Sequence, residues 1–264
     1  MNWKRILTAG ILTGALTIGS AAALTVQVDG TEVSVGAVIE DGTTYVPLRT
    51  AAQCLGTVTV SWSGGEARVE GTGLSLSARP GAAWIEANGR CFYAPGGVRL
   101  ENGTTMVPVR ALAAAMGAEV SWDEAARTVS LISGGGVPGQ PSYTQEDLYW
   151  LSRIISAESQ GEPLLGKLAV GTVVLNRVAS PEFPDTIYDV IFDRKWGVQF
   201  TPVANGAIYW EPTQESVTAA KLVLEGARAA GNSLYFQDPS QTSDRWAANN
   251  RPYVTTIGCH WFYA

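Results

Sequence analysis

The chain has 264 residues, 46% of them hydrophobic, and a net charge of −6, a length that accommodates two domains with separate cores. An acidic chain without basic clusters excludes nucleic acid as a partner and excludes electrostatic adhesion to an anionic polymer. Three cysteines without a CxxC pair and a single histidine exclude a zinc or redox motif. HExxH, Walker-type and GxSxG motifs are absent too, and neither metal nor cofactor is expected.

The chain begins with a positive segment, Lys4 and Arg5, followed by an apolar run and the small-residue pair Ala21 and Ala23. This pattern predicts a secretory signal peptide over residues 1–23 and an extracytoplasmic mature chain of about 240 residues. Its loss removes two positive charges, taking the net charge from −6 to −8. The run is near the lower limit for spanning a bilayer, so an uncleaved anchor is the alternative. No later stretch is long and apolar enough to span, and no membrane association is expected after cleavage.

Residues 24–133 contain an internal repeat. EDGTTYVPLRTAAQCLG (40–56) matches ENGTTMVPVRALAAAMG (101–117) at an offset of 61, and each copy then reaches a Ser-Trp strand, Ser61-Trp62 and Ser121-Trp122. Asp41-Gly42 and Asn102-Gly103 predict tight turns with positive φ. Pro47 and Pro108 suit a first helical turn, and Gly56 and Gly117 suit helix C-caps. One unit alone buries little, so the two are expected to pack together. Cys54 and Cys91 fall in this region and could pair after export, with a buried Cys54 thiol as the alternative. GTTYVPLR and GTTMVPVR, with their alanine-rich helices and Ser-Trp strands, resemble the copper amine oxidase N-terminal-like repeat domain. The resemblance implies no copper, since no histidine or cysteine cluster occurs there; wall attachment and a passive spacer both remain open.

SGGGVPGQPS (133–142) has no apolar period and reads as a flexible linker, which sets the linker at 134–143 and a last domain at 144–264. Thr144 and Asp147 form a capping-box start. Leu148, Leu151, Ile154, Ile155 and Glu158 then share one helical face. Glu158 therefore continues an apolar stripe, where ionisation is costly and a carboxyl keeps its proton near neutral pH. That is the state a general acid needs to cleave a glycosidic bond. The bland alternative is a structural carboxylate paired with Arg153 or Arg177. Glu162 reads as more exposed, a charge favouring the N-terminus of the next helix. LLGKLAVGTVVLNRV (164–178) is apolar almost all round and predicts a buried central helix whose glycines allow close approach. Thr213 reads as the cap of a helix running toward Gly231.

AESQGEP (157–163), GTVVLNRV (171–178), SPEFPDTIYDVI (180–191), QFTPVANG (199–206), LYFQDP (234–239), RP (251–252) and IGCHWFY (257–263) occur in the order found in the SleB-type spore cortex-lytic and cell wall hydrolase family, which the segment resembles. The resemblance implies an α+β two-domain protein, a small repeated α+β domain followed by a mainly α, lysozyme-like catalytic domain. It also implies cleavage of peptidoglycan glycan strands, in cell wall or spore cortex, with Glu158 catalytic. Gln199 and Phe200 are assigned to the sugar groove through the resemblance. Tyr235 could reach the cleft or pack in the core. His260 reads as structural. Gln237 and Asp238 depart from the family's usual aromatic and Asn, and Cys259 stands where small or polar residues are common; the first departure bears on substrate preference. The nine Trp and nine Tyr suit sugar stacking as well as core packing. No second carboxylate is clearly placed, which fits a lytic transglycosylase. A hydrolytic muramidase using Asp189, Asp193 or Asp238, and a non-catalytic wall-binding or germination-complex protein, are the alternatives; a zinc amidase is poorly served by one histidine. A regulatory protein partner stays open.

Overall fold

The structure is a computed structural model that describes residues 23–264 except 196, 243 and 244, so the signal-peptide reading lies, but for residue 23, outside the described residues. Among those residues no helix is long and apolar enough to cross a membrane.

The repeat dictates the first half. Strands β1 (Thr25–Val28) and β2 (Thr31–Glu32) open the chain, then β3 (Val38–Glu40), β4 (Thr43–Pro47), α1 (Leu48–Leu55), β5 (Val58–Ser63) and β6 (Glu66–Gly71) build the first unit. Strands β7 (Leu74–Ala78), β8 (Trp84–Ala87) and β9 (Arg90–Tyr93) extend it. The second unit is β10 (Arg99–Glu101), β11 (Thr104–Pro108), α2 (Val109–Ala115), β12 (Glu119–Asp123) and β13 (Thr128–Ile132). The two hairpins join edge to edge as β10-β11-β4-β3, with Val46 opposite Val107. Because these residues are equivalent in the repeat, a pseudo-twofold axis passes between them. The predicted turns form, with positive φ at Asp41, Gly42, Asn102 and Gly103. The order β5-β6-β7-β8-β9 makes one flanking sheet and β12-β13-β1-β2 the other. Leu48, Leu76, Ile85, Leu112 and Met116 fill the core between them.

The second half combines six α-helices with one small sheet among the described residues. Helices α3 (Gln145–Ser159), α4 (Leu164–Val178), α5 (Ile187–Phe192), α6 (Thr201–Asn205), α7 (Gln214–Leu224) and α8 (Trp246–Asn250) surround or flank a second core. Strands β14 (Tyr235–Gln237), β15 (Tyr253–Ile257) and β16 (His260–Tyr263) pair as β14-β16-β15. The Thr144–Asp147 capping box starts α3, as the sequence predicts. Leu151, Ile154 and Ile155 are fully buried against α4 and α7. Thr213 caps α7, but this helix ends at Leu224 rather than near Gly231, because Gly226 takes φ +99° and turns the chain away.

Gly171 is where α3, α4 and α7 meet. A Cβ there would stand 2.9 Å from Ile155 Cδ1 and 3.0 Å from Val223 Cγ2. Gly171→Val is expected to destabilise the fold by about 1–3 kcal/mol through overpacking. Chemical denaturation would read this as a lowered midpoint; an unchanged midpoint would mean that the helices part without cost.

Of the alternatives for the cysteines the unpaired one is found, and one expectation about the first half is corrected. The cysteines are free: Cys54 packs beside the first core, whereas Cys91 is buried in the second. The β8–β9 hairpin reaches across to α7, where Arg90 pairs with Glu225 and Lys221 Nζ donates to the Gly89 carbonyl at 2.8 Å. A hairpin committed to the other core cannot bring Cys91 to Cys54. The Gly/Pro segment, read as flexible, is docked: Gly136 is buried and Val137 packs on the first core. Gly117, at φ +65°, passes so close to the Val137 carbonyl that a Cβ would lie 2.0 Å from its oxygen. That contact requires glycine at 117.

Candidate active site

The apolar stripe of α3 carries Glu158 to the last turn of the helix, where the side chain is largely but not fully buried. Burial pushes its carboxyl up to about 7, against a smaller opposing pull from the Arg177 guanidinium. Near neutral pH about half of the population therefore holds the proton, far more than for an ordinary carboxyl, while the group stays in reach of solvent.

Arg177 comes from the last turn of α4 and is 5% exposed. Its Nε donates to the Leu234 carbonyl at 2.7 Å, and the guanidinium lies 4.9 Å from the Phe183 ring, 5.1 Å from Phe200 and 5.5 Å from Tyr235. Its Nη1 is buried without a hydrogen-bond partner. Burial lowers the guanidinium to about 10, opposed by Tyr235, Asp193 and Glu158. Arg153, the other arginine weighed as a partner for Glu158, instead pairs with Glu211 at 3.1 Å and stacks on Tyr149.

Tyr235 is half-buried on β14, beside Arg177, with its hydroxyl accepting from Arg251 Nη2 at 2.9 Å and its ring edge-on to Trp246. Gln199 is partly exposed on the loop before α6, and its Nε2 donates to the Gly197 carbonyl at 3.1 Å. Phe200 requires a correction. It is only 2% exposed, sits in the second core and packs against Phe236 and Arg177. A ring so buried offers no face to a sugar and serves as the floor beneath Arg177.

Glu162 also departs from the sequence reading. Its side chain is 10% exposed, and its carboxylate accepts the Cys259 N–H at 3.2 Å in the β15–β16 turn. Gly258 makes room for it: a Cβ at 258 would fall 1.5 Å from Glu162 Oε2. His260 is buried against Phe236 and stands 3.9 Å from Glu162, in keeping with a structural role. The turn between α3 and α4 is thus pinned to the small sheet.

Lys167, 1% exposed within the apolar α4, holds the same turn from the other side. Its Nζ donates to the carbonyls of Gln160 and Glu162 and pairs with Glu215 at 2.9 Å. It thereby satisfies carbonyls that the end of α3 leaves open. Each carboxylate considered as a second catalytic group is engaged locally. Asp189 caps α5 with Thr186, Asp193 accepts the Lys195 N–H, and Asp238 accepts from Ser240. The arrangement can deliver a proton from Glu158 and stabilise the carboxylate left behind through Arg177.

Residues 161–263 match the family described as Cell Wall Hydrolase, and residues 27–131 match the Copper amine oxidase N-terminal domain. A spore cortex-lytic enzyme of Bacillus cereus is 38% identical over 129 residues, covering 49% of this chain and 48% of that protein. The chain thus spans about half the length of the curated spore cortex-lytic relatives it matches. The cell wall hydrolase CwlJ of Oceanobacillus iheyensis is 30% identical over 46% of this chain and 89% of its own length. Among solved structures, the catalytic domain of the germination-specific lytic transglycosylase SleB from Bacillus anthracis is 36% identical, covers 48% of this chain and 100% of its own, and superposes with a TM-score of 0.43.

Proposed function

The chain belongs to the cell wall hydrolase family, and on that premise we propose that it cleaves peptidoglycan glycan strands between N-acetylmuramic acid and N-acetylglucosamine as a lytic transglycosylase. The observation that carries the reading is a largely buried carboxyl, Glu158, whose raised pKa keeps a large protonated fraction at neutral pH and whose charged neighbour is the Arg177 cation. Glu158 gives its proton to the glycosidic oxygen, and the N-acetylglucosamine side leaves with a hydroxyl. The carboxylate, beside Arg177, then takes the proton of the muramic C6 hydroxyl while that oxygen bonds to C1. Glu158 is restored, no water is consumed, and the product is a 1,6-anhydro sugar. An inverting or double-displacement hydrolase would require a second carboxylate flanking the bond. The reading includes a lysozyme-like catalytic domain over 144–264, a repeat domain over 24–133, an extracytoplasmic setting, and Tyr235 and Gln199 at the edge of the groove.

The pH dependence tests the assignment. A general acid with a pKa of about 7 is present below that value and lost above it. The kcat/KM profile is expected to fall by about tenfold per unit above pH 7. Arg177 pulls that pKa down, so Arg177→Met should move the falling limb to higher pH. A limb that stays in place would show that Arg177 does not act on the catalytic carboxyl.

A further inference from the structure

The pseudo-twofold axis of the repeat domain creates two equivalent grooves that the proposed cleavage does not use. One, of about 570 Å³, is lined by Pro47, Arg49 and Trp62 of the first unit and by Gly103, Thr104 and Thr105 of the second. The other, of about 410 Å³, is lined by Pro108, Arg110 and Trp122 with Gly42, Thr43 and Thr44. Each groove thus takes its tryptophan and arginine from one unit and its threonine turn from the other. The Val46–Val107 register of the central sheet compels this exchange. Trp62 is 51% exposed, a large amphipathic face left open to solvent. Arg49 Nη1 donates to the Val60 carbonyl at 2.7 Å, which steadies the guanidinium beside that face. In the second groove Trp122 is only partly exposed and packs on the first core, and its Nε1 donates to Glu124 Oε2 at 2.6 Å, which fixes the indole and adds a carboxylate.

We propose that these grooves are a pair of related carbohydrate-binding sites that hold glycan strands. An indole face, a guanidinium and two threonine hydroxyls supply stacking for a pyranose ring and hydrogen bonds for its hydroxyl and acyl oxygens. A chain of net charge −6, with one arginine in the first groove and two, Arg110 and Arg127, beside Glu124 in the second, is unsuited to a polyanion, which favours a polymer whose rings are recognised by stacking. Two sites related by a twofold axis meet strands running in opposite directions, which suits a wall where many strands lie close together and the second engagement follows the first at high local concentration. That the repeating polymer is the peptidoglycan glycan rests on the proposed function; the grooves themselves do not.

The test uses the full chain carrying Glu158→Gln, so that nothing is cut. Its cosedimentation with purified insoluble sacculi is compared with that of the same chain carrying Trp62→Ala and Trp122→Ala. Binding is expected to weaken by at least about tenfold, with each single substitution giving much of the loss. Tyrosine at both positions keeps a stacking face and should retain most of the binding. Retention unchanged in the double alanine chain would overturn the proposal. So would tyrosine behaving as alanine, or free stem peptide displacing the protein. With Glu158 intact, the double alanine chain should cleave short soluble glycan at the wild-type rate; an equal loss there would overturn a role separate from catalysis. Retention that depends on the tryptophans without any cleavage would defeat the proposed function alone, and cleavage with tryptophan-independent retention would defeat this inference alone.

Discussion

Glu158→Gln is expected to lower turnover of glycan strands by roughly a hundredfold to ten-thousandfold, the range supplied by a positioned general acid. The amide matches the carboxyl in size but cannot release the proton or take one from the muramic C6 hydroxyl. The same substitution should stabilise the fold in alkaline solution. Glu158 ionises near pH 4.5 when unfolded and near 7 when folded, so the folded state holds the extra proton between these values. Native stability contributed at this site is therefore greatest below about pH 4.5 and declines as pH rises through 7, by on the order of 3 kcal/mol. Glutamine removes that decline. Thermal melting at pH 5 and pH 8 would show it: the variant should gain on the wild type only at the higher pH. A variant that melts lower at both values would identify Glu158 as a structural carboxylate.

Lys167→Ala is expected to destabilise the protein by about 1–3 kcal/mol, a sizeable share of a typical domain's stability, through the carbonyls left without a donor rather than through Glu215, which stays solvated. The buried ammonium bonds the Gln160 and Glu162 carbonyls and pairs with Glu215. Its loss leaves those carbonyls, in a turn that is itself partly exposed, without their side-chain donor. Because the turn ends the helix that carries Glu158, turnover should fall as well. Chemical denaturation gives the first quantity and steady-state cleavage the second. A loss below 1 kcal/mol would mean that the turn is held from the Cys259 side alone.

Periodicity and turn chemistry made much of this arrangement legible. The stripe from Leu148 to Glu158 has the helical period, and a carboxyl on that stripe must be desolvated. The repeat, its turns and the Thr144 cap are local signals, and local signals survive folding. The misread residues depend on distant contacts. Glu162 looked exposed because its cover, the Gly258–Cys259 turn, lies far along the chain. Cys91 joins the second core only because its hairpin crosses to α7. Phe200, next to a Gly-rich loop, gave no hint that it would form the floor beneath Arg177. Lys167 offered a usable signal that the sequence reading did not draw out: a lysine in a helix apolar almost all round must find partners inside.

Mass spectrometry of the muropeptides released from purified sacculi and spore cortex by residues 24–264, wild type beside Glu158→Gln, tests the central claim most directly. The wild type should release 1,6-anhydro-muropeptides and the variant essentially none. Products with ordinary reducing ends, or release that survives Glu158→Gln, would contradict it.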